Sequence, residues 1–365
     1  MTNAIEQISE LGVSVWLDDL SRSRITSGSL QQLIDTRHVV GVTTNPSIFA
    51  QALSNAEDYS EAIAECKKQG LDAEQSVFEI TSADVTMACD IFKPVFDKTN
   101  GLDGRVSIEV SPLLANDTEG TIAQAHELWK KVDRENLFIK IPATKAGLPA
   151  ITEVLAAGIS VNVTLIFSLE RYSEVIDSYI TGIERARANG RDVSKIQSVA
   201  SFFVSRVDAS VDKLLAEHSP LAEKLSGKAA IANARLAYGL FLDKFATEGW
   251  KQLESAGANV QRPLMASTGV KNPNYAEDLY VTELAADQLV NTMPEKTLQA
   301  TYEKGSYSGD TITPNLDSAV AEWKAIGELV DLQKVTEDLE TDGVEKFEES
   351  WKELLETVQT ALEAK

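Results

Sequence analysis

Soft metal ligands are scarce in this chain: 365 residues carry two cysteines and three histidines. Cys66 and Cys89 both fall in segments with helical patterning. No disulfide framework is therefore expected, both thiols read as small packed residues, and a reducing cytoplasm fits. His38, His126 and His218 lie far apart, without the close pairing of a zinc site, so a metal-dependent mechanism is not expected. Basic charge is short as well. Lysine and arginine total 34 against 56 acidic residues, a formal net charge of −22, which speaks against nonspecific nucleic-acid binding or attachment to anionic membranes. An anionic small substrate would need a local cluster of Arg, Lys or backbone N–H groups to offset that field. Apolar runs fall well below the roughly 18 residues of a membrane span. The opening Met1-Thr2-Asn3-Ala4-Ile5-Glu6 is polar and acidic, so no signal segment is expected. Internal repeats, low-complexity tracts, a flexible interdomain linker and a GxGxxG turn after the first strand are all missing.

What is present is ordinary for a globular chain, with 43% hydrophobic and 25% charged residues. Short β-rich runs alternate with helical segments. The runs are roughly Val13–Asp19, Val39–Asn45, Arg105–Ser111, Leu137–Thr144, Ser160–Phe167, Ser198–Val204, Pro263–Ser267 and Gln288–Met293. Eight such units predict an α/β fold, a closed (β/α)8 TIM barrel. The whole chain, 1–365, reads as one domain, with the barrel core at about 13–314 and helices at about 315–365. Helical periodicity marks Thr121–Val132 and Leu169–Ala186, the latter with Ser168 as N-cap. The tail is helical and acidic, with Phe347, Trp351, Leu354, Leu355 and Val358 on one side. That side is expected to pack on the outside of the barrel, leaving the tail's charges as a solvated face. The pattern does not define an oligomeric state, and a homo-oligomer stays open.

Lys140 stands out as the lone charge in the apolar run Leu137-Phe138-Ile139-Lys140-Ile141-Pro142. A buried, unpartnered ammonium is costly and tends to lose its proton, which is what a Schiff-base nucleophile requires. The same residue on an edge strand could instead snorkel its charge to water. Strand parity helps to choose, because side chains alternate faces. Val106, Ile108 and Val110 oppose Ser107, Glu109 and Ser111; Val161, Val163, Leu165 and Phe167 oppose Asn162 and Thr164. Val13, Val15 and Leu17 likewise oppose Ser14, Trp16 and Asp18, and Val40 and Val42 oppose Thr43 and Asn45. Helices claim the apolar faces. An interior holding Asp18, Asn45, Glu109, Lys140, Asn162, Thr164 and Ser201, with Phe203 on the same face as Ser201, is too polar for a packed core alone. Its composition suits an imine-forming site at the C-terminal end of a barrel.

Three stretches carry a resemblance: Val42-Thr43-Thr44-Asn45-Pro46-Ser47, Ile139-Lys140-Ile141-Pro142-Ala143-Thr144 and Val161-Asn162-Val163-Thr164-Leu165-Ile166-Phe167-Ser168. In order and spacing they resemble the signatures of transaldolases, from about Val13 to Pro294. Asp18 falls at that family's first-strand aspartate and Glu109 at its third-strand glutamate, and Asn291-Thr292-Met293-Pro294-Glu295 is similar to the last-strand region of the longer bacterial members. The resemblance implies transfer of a dihydroxyacetone unit from a ketose phosphate to an aldose phosphate in the non-oxidative pentose phosphate pathway, through a Schiff base on Lys140 and with no metal or organic cofactor. It implies that Glu109 and Thr164 position a proton-shuttling water, that Asp18 exchanges the C4-hydroxyl proton, and that Asn45 and Asn162 hold the three-carbon fragment. Ser201-Phe202-Phe203-Val204-Ser205-Arg206 is similar to the family's Ser-x-Phe-x-Gly-Arg run, with Ser205 in place of glycine. The resemblance thus implies that Ser201 and Arg206 bind the phosphate, with Phe203 also in the substrate site. Lys271 lies where many members carry an arginine, and an ammonium is not equivalent to a planar fork. Thr-Thr-Asn-Pro alone would also fit a fructose-6-phosphate aldolase that releases free dihydroxyacetone. A noncatalytic sugar-phosphate binder is the remaining class, and the presence of both Lys140 and Glu109 weighs against it.

Overall fold

Alternation of small apolar and polar residues over four to six positions makes strands here, and the computed structural model, which describes residues 3–217 and 222–364, places all eight in one sheet. They are β1 (Ser14–Leu17), β2 (Val39–Val42), β3 (Arg105–Glu109), β4 (Leu137–Pro142), β5 (Val161–Ile166), β6 (Ser198–Phe203), β7 (Gln261–Ala266) and β8 (Val290–Met293). Each pairs in parallel with the next and β8 pairs with β1, so the sheet closes into a barrel. Helices fill every crossover, as parallel neighbours require.

The observed strands are mostly shorter at their C-terminal ends than the periodicity suggests, because polar residues there leave the sheet to start helices. Asn45 accepts a hydrogen bond from the Ile48 N–H at 3.0 Å and caps the Pro46–Leu53 helix. Ser168 does the same for Leu169–Ala188, taking the Arg171 N–H at 3.0 Å. β7 begins two residues before Pro263, since Gln261 and Arg262 pair with Ser198 and Val199. Cys66 and Cys89 are buried, unbridged and helical, and His126 lies in the Thr118–Val132 helix. His218 lies outside the described residues.

Simple alternation is broken in β5. Leu165 has φ of 61°, a left-handed backbone, where the β5–β6 register shifts between Val163 and Ile166. Such a bulge breaks strand parity. Leu165 and Phe167, expected beneath the outer helices, therefore meet the C-terminal helix, Leu332–Glu363, at Gly343. A Cβ on Gly343 would lie 3.1 Å from a Leu165 methyl and 3.4 Å from the Phe167 ring, so glycine sets this close approach.

The tail is accordingly corrected. Its apolar stripe, Leu339, Phe347, Trp351, Leu354 and Val358, is buried, but it crosses the C-terminal mouth of the barrel instead of lying on the outer wall. It packs on β5, on the Pro46–Leu53 and Ala73–Lys98 helices and on the Ser205–Leu215 helix. Leu355 is only half-buried. Nor are all its charges merely solvated: Glu340 accepts from Arg171 at 3.2 Å, and Asp342 acts electrostatically on Arg206. A one-sided apolar stripe fits any apolar surface of matching length, and here the mouth, with Leu165 and Phe167 turned towards it by the bulge, offers the better one.

The opposite end of the barrel is plugged. Trp16 fills the interior, its ring 6.0 Å from that of Phe138. Gly41 makes the room, as a Cβ there would come within 2.6 Å of the indole.

Candidate active site

Lys140 lies on β4 in register with Glu109 of β3 and Asn162 of β5. A closed barrel has no edge strand, and Lys140 is 4% exposed, so the snorkelling alternative fails. Its Nζ donates to Glu109 Oε2 and to the Thr44 carbonyl, both at 3.0 Å. An ammonium has three donors, which leaves one direction for the cavity above. The Phe347 ring centroid stands 5.4 Å from Nζ on that side.

Two carboxylates flank the amine in different surroundings. Burial pushes Glu109 up to about 6, against the pull of Lys140, and the nearby negative charge of Asp18 adds to the rise. Asp18 is also raised by burial, opposed by the Thr43 hydrogen bond and by Lys140. Thr43 Oγ1 donates to Asp18 Oδ1 at 2.7 Å and lies 2.7 Å from Thr292 Oγ1. Because the Thr43 proton goes to the carboxylate, Thr292 donates to Thr43, and the two hydroxyls brace Asp18. Thr164 Oγ1 is buried without a protein hydrogen-bond partner and faces the same space.

That space is a cavity of about 190 Å³ lined by Asp18, Asn45, Lys140, Thr164, Ser201, Phe203, Arg206 and Lys271, among others. The expected residues thus converge, with two qualifications. Glu109 reaches the cavity through Lys140 and is not part of its wall. Asn162 lies one layer lower and is not part of the wall: one Nδ2 hydrogen goes to Ser107 Oγ at 3.1 Å and Oδ1 accepts from Ser201 Oγ at 2.7 Å. Asn162 thereby supports Ser201, and its second Nδ2 hydrogen is left free of these two bonds. Asn45, with Oδ1 engaged as a helix cap, keeps its Nδ2 donors for the cavity.

The far wall carries two further cationic side chains, Arg206 and Lys271. Arg206 stands in the first turn of the Ser205–Leu215 helix, its guanidinium 5.3 Å over the Phe203 ring. Its Nη1 is buried without a hydrogen-bond partner, and burial holds the group below its ordinary value, opposed by Asp18 and Asp342. A buried guanidinium nitrogen with no carboxylate partner suits a phosphate oxygen. Lys271 is exposed at the rim, with no ion-pair partner among the described residues. Ser205, where glycine was expected, hydrogen-bonds Ser267 through its hydroxyl at 3.0 Å, and its N–H donates to the Ser267 carbonyl at 3.1 Å. Size does not mark the site. A larger groove of about 600 Å³ between the Ala56–Gln69 helix and the end of the terminal helix is lined by residues such as Leu53, Tyr59, Ile63 and Val358, with no acid–base pair.

The sequence reading missed four participants. Thr292 carried a signal, lying on the inward parity of the last strand; Thr44 takes part through its backbone carbonyl, which no side-chain pattern reports. Ser267 adopts φ of 55°, a conformation the strand pattern does not predict. Phe347 was assigned to the wrong side of the barrel.

A family model described as Transaldolase/Fructose-6-phosphate aldolase matches residues 15–358. A protein of Arthrobacter sp. (strain FB24) named Transaldolase is 57% identical over 364 residues, covering 99% of this chain and 98% of its own. Transaldolase 1 of Streptomyces avermitilis is 56% identical over 363 residues, covering 99% and 96%. The protein named Transaldolase in Mycobacterium tuberculosis (strain ATCC 25618 / H37Rv) is 56% identical over 359 residues, covering 98% and 96%. The chain belongs to the transaldolase/fructose-6-phosphate aldolase family.

Proposed function

We propose that this enzyme is a transaldolase that moves a dihydroxyacetone unit from sedoheptulose 7-phosphate or fructose 6-phosphate to glyceraldehyde 3-phosphate or erythrose 4-phosphate. The observation that carries the reading is Lys140: a buried amine bonded to Glu109 at 3.0 Å, at the wall of a cavity whose other end holds Arg206 with an unpartnered Nη1.

Glu109 takes a proton from Lys140, and the neutral amine attacks the ketose C2 carbonyl to give a carbinolamine. Loss of water, assisted by Glu109 with Thr164 holding the departing molecule, yields the protonated imine. Asp18, braced by Thr43, removes the C4-hydroxyl proton, and the C3–C4 bond breaks with its electron pair drawn into the imine. The aldose phosphate leaves. The three-carbon enamine stays on Lys140 until an acceptor aldehyde arrives; its carbon bonds to the aldehyde carbon, Asp18 returns its proton to the new hydroxyl, and water adds to the imine carbon so that the C–N bond breaks and the ketose phosphate leaves. Asn45 and Ser201 hold the fragment's hydroxyls, while Arg206 and Lys271 hold the phosphate. The imine serves as the electron sink, so this route calls for no metal or organic cofactor. The setting we infer is the pentose phosphate pathway of the cytoplasm, where the buried Cys66 and Cys89 would stay reduced.

Borohydride reduction in the presence of fructose 6-phosphate tests the reading. A three-carbon mass increment on the peptide carrying Lys140 is expected, and an increment on any other lysine would sink it.

A further inference from the structure

Phe347 belongs to the terminal helix and lies outside every barrel strand, yet it is 4% exposed and walls the cavity over Lys140. Its ring centroid is 5.4 Å from Nζ, whose other contacts, Glu109 and Thr44, lie at 3.0 Å within the barrel. The distance is informative. An imine carbon sits about 1.3 Å from the nitrogen and the next carbon about 1.5 Å farther on. An imine carbon on that line therefore stands about 4 Å from the ring centroid, at van der Waals separation, and the next carbon, which would clash if it continued along the line, must turn aside across the ring face. The ring is also held firmly. Ser350 is 2.7 Å from Ser47, Arg171 binds Glu340 at 3.2 Å, and the Trp351 ring lies 5.2 Å from that of Phe78.

This position bears on which of two fates the Lys140-bound enamine meets. In transfer, its nucleophilic carbon forms a C–C bond to the acceptor's aldehyde carbon, and the aldehyde oxygen takes a proton from Asp18. In release, the same carbon takes a proton from water, leaving hydroxide. Water then adds to the imine carbon, and the C–N bond breaks with its electron pair returning to Nζ as dihydroxyacetone departs. We propose that Phe347 is a specificity-determining residue that roofs the enamine and keeps proton-donating water from its nucleophilic carbon, so that the fragment waits for an aldehyde acceptor. The proposal rests on imine chemistry at Lys140.

The test is the ratio of free dihydroxyacetone to transferred product, with reactions in deuterium oxide to record deuterium at the released carbon. Phe347→Ala opens the roof and Phe347→Gln keeps its volume while admitting a polar group; each should raise the ratio by about tenfold or more, roughly 1.4 kcal/mol in relative barrier. Phe347→Leu retains an apolar cover and should stay near the parent ratio. Val358→Ala loosens the far end of the same helix, away from the cavity, and its ratio should be unchanged. If Phe347→Ala does not fold, Phe347→Gln carries the test. Unchanged ratios in the folded Ala and Gln variants, or an equal rise in Val358→Ala, would overturn the proposal. Borohydride trapping on Lys140 in the parent separates the two readings: failure to trap there removes the imine, whereas normal trapping with an unchanged ratio removes only the role of Phe347.

Discussion

The two ends of the barrel interior both bury charge, and they use it in opposite ways. At the N-terminal end, Asp103 accepts from Ser14 Oγ at 2.8 Å, Trp16 Nε1 at 3.3 Å and Arg262 Nη2 at 3.0 Å, while Arg262 Nη1 donates to Ser14 Oγ at 2.7 Å. Beside it, Arg105 donates through Nε to the Gly101 carbonyl at 2.8 Å and through Nη1 to the Glu135 carbonyl at 3.0 Å. This network is closed, and Trp16 seals it. At the C-terminal end, Thr164 Oγ1 and Arg206 Nη1 are buried without protein partners beside a cavity. Buried charge alone therefore does not mark a functional site; buried polar atoms left unsatisfied at a cavity wall do.

The contrast can be pressed by mutation at each end. The largest effect is expected for Lys140→Met, which should cut transfer per folded molecule about 10^4-fold or more, because the chemistry loses its nucleophile. At the closed end, Asp103→Ala leaves Arg262 buried and uncompensated; denaturant unfolding should show a loss of about 3–5 kcal/mol, with kcat per folded molecule unchanged. An unaltered midpoint would mean that the lower network is not structural.

Arg206→Gln should do the reverse. Steady-state kinetics should show KM for the ketose phosphate rising about 10- to 100-fold, the worth of one or two charge-assisted hydrogen bonds, with stability equal to or above the parent's because an unpaired buried charge is gone. Titration gives the next effect. Glu109 must be ionised to accept a proton and burial raises it to about 6, so kcat/KM should fall as pH drops through about 6, and Glu109→Gln should lose that limb at a lower overall rate. Its stability linkage has the opposite sign. The folded state holds this proton more tightly than the unfolded chain, so Glu109 destabilises most above about pH 6, and that penalty fades as pH falls towards the ordinary carboxylate value. The smallest change is expected for Gly41→Ala, which forces Trp16 to shift and should cost about 1–3 kcal/mol in thermal unfolding with little change in KM.

Much of the site can be read from alternation along single strands. Asp18, Lys140, Thr164 and Ser201 were placed inward by the period of two, and the cavity wall contains all four. Asn162 has the same parity but sits one layer deeper, and depth along the barrel axis depends on how neighbouring strands are staggered, which no single strand records. Parity also failed at Leu165, where a bulge turned two apolar side chains towards the terminal helix.

Periodicity and charge placement are local properties of the chain, and they were enough for eight strands, a barrel and an amine with a carboxylate neighbour. Where the tail lies, which hydroxyls brace Asp18 and which ring stands over Lys140 depended on contacts between segments far apart in the chain, such as Thr43 with Thr292 and Gly343 with Leu165. The physical reason is that backbone geometry sets which way a side chain points, whereas the surface it meets is chosen by competition among all the apolar faces the folded chain presents.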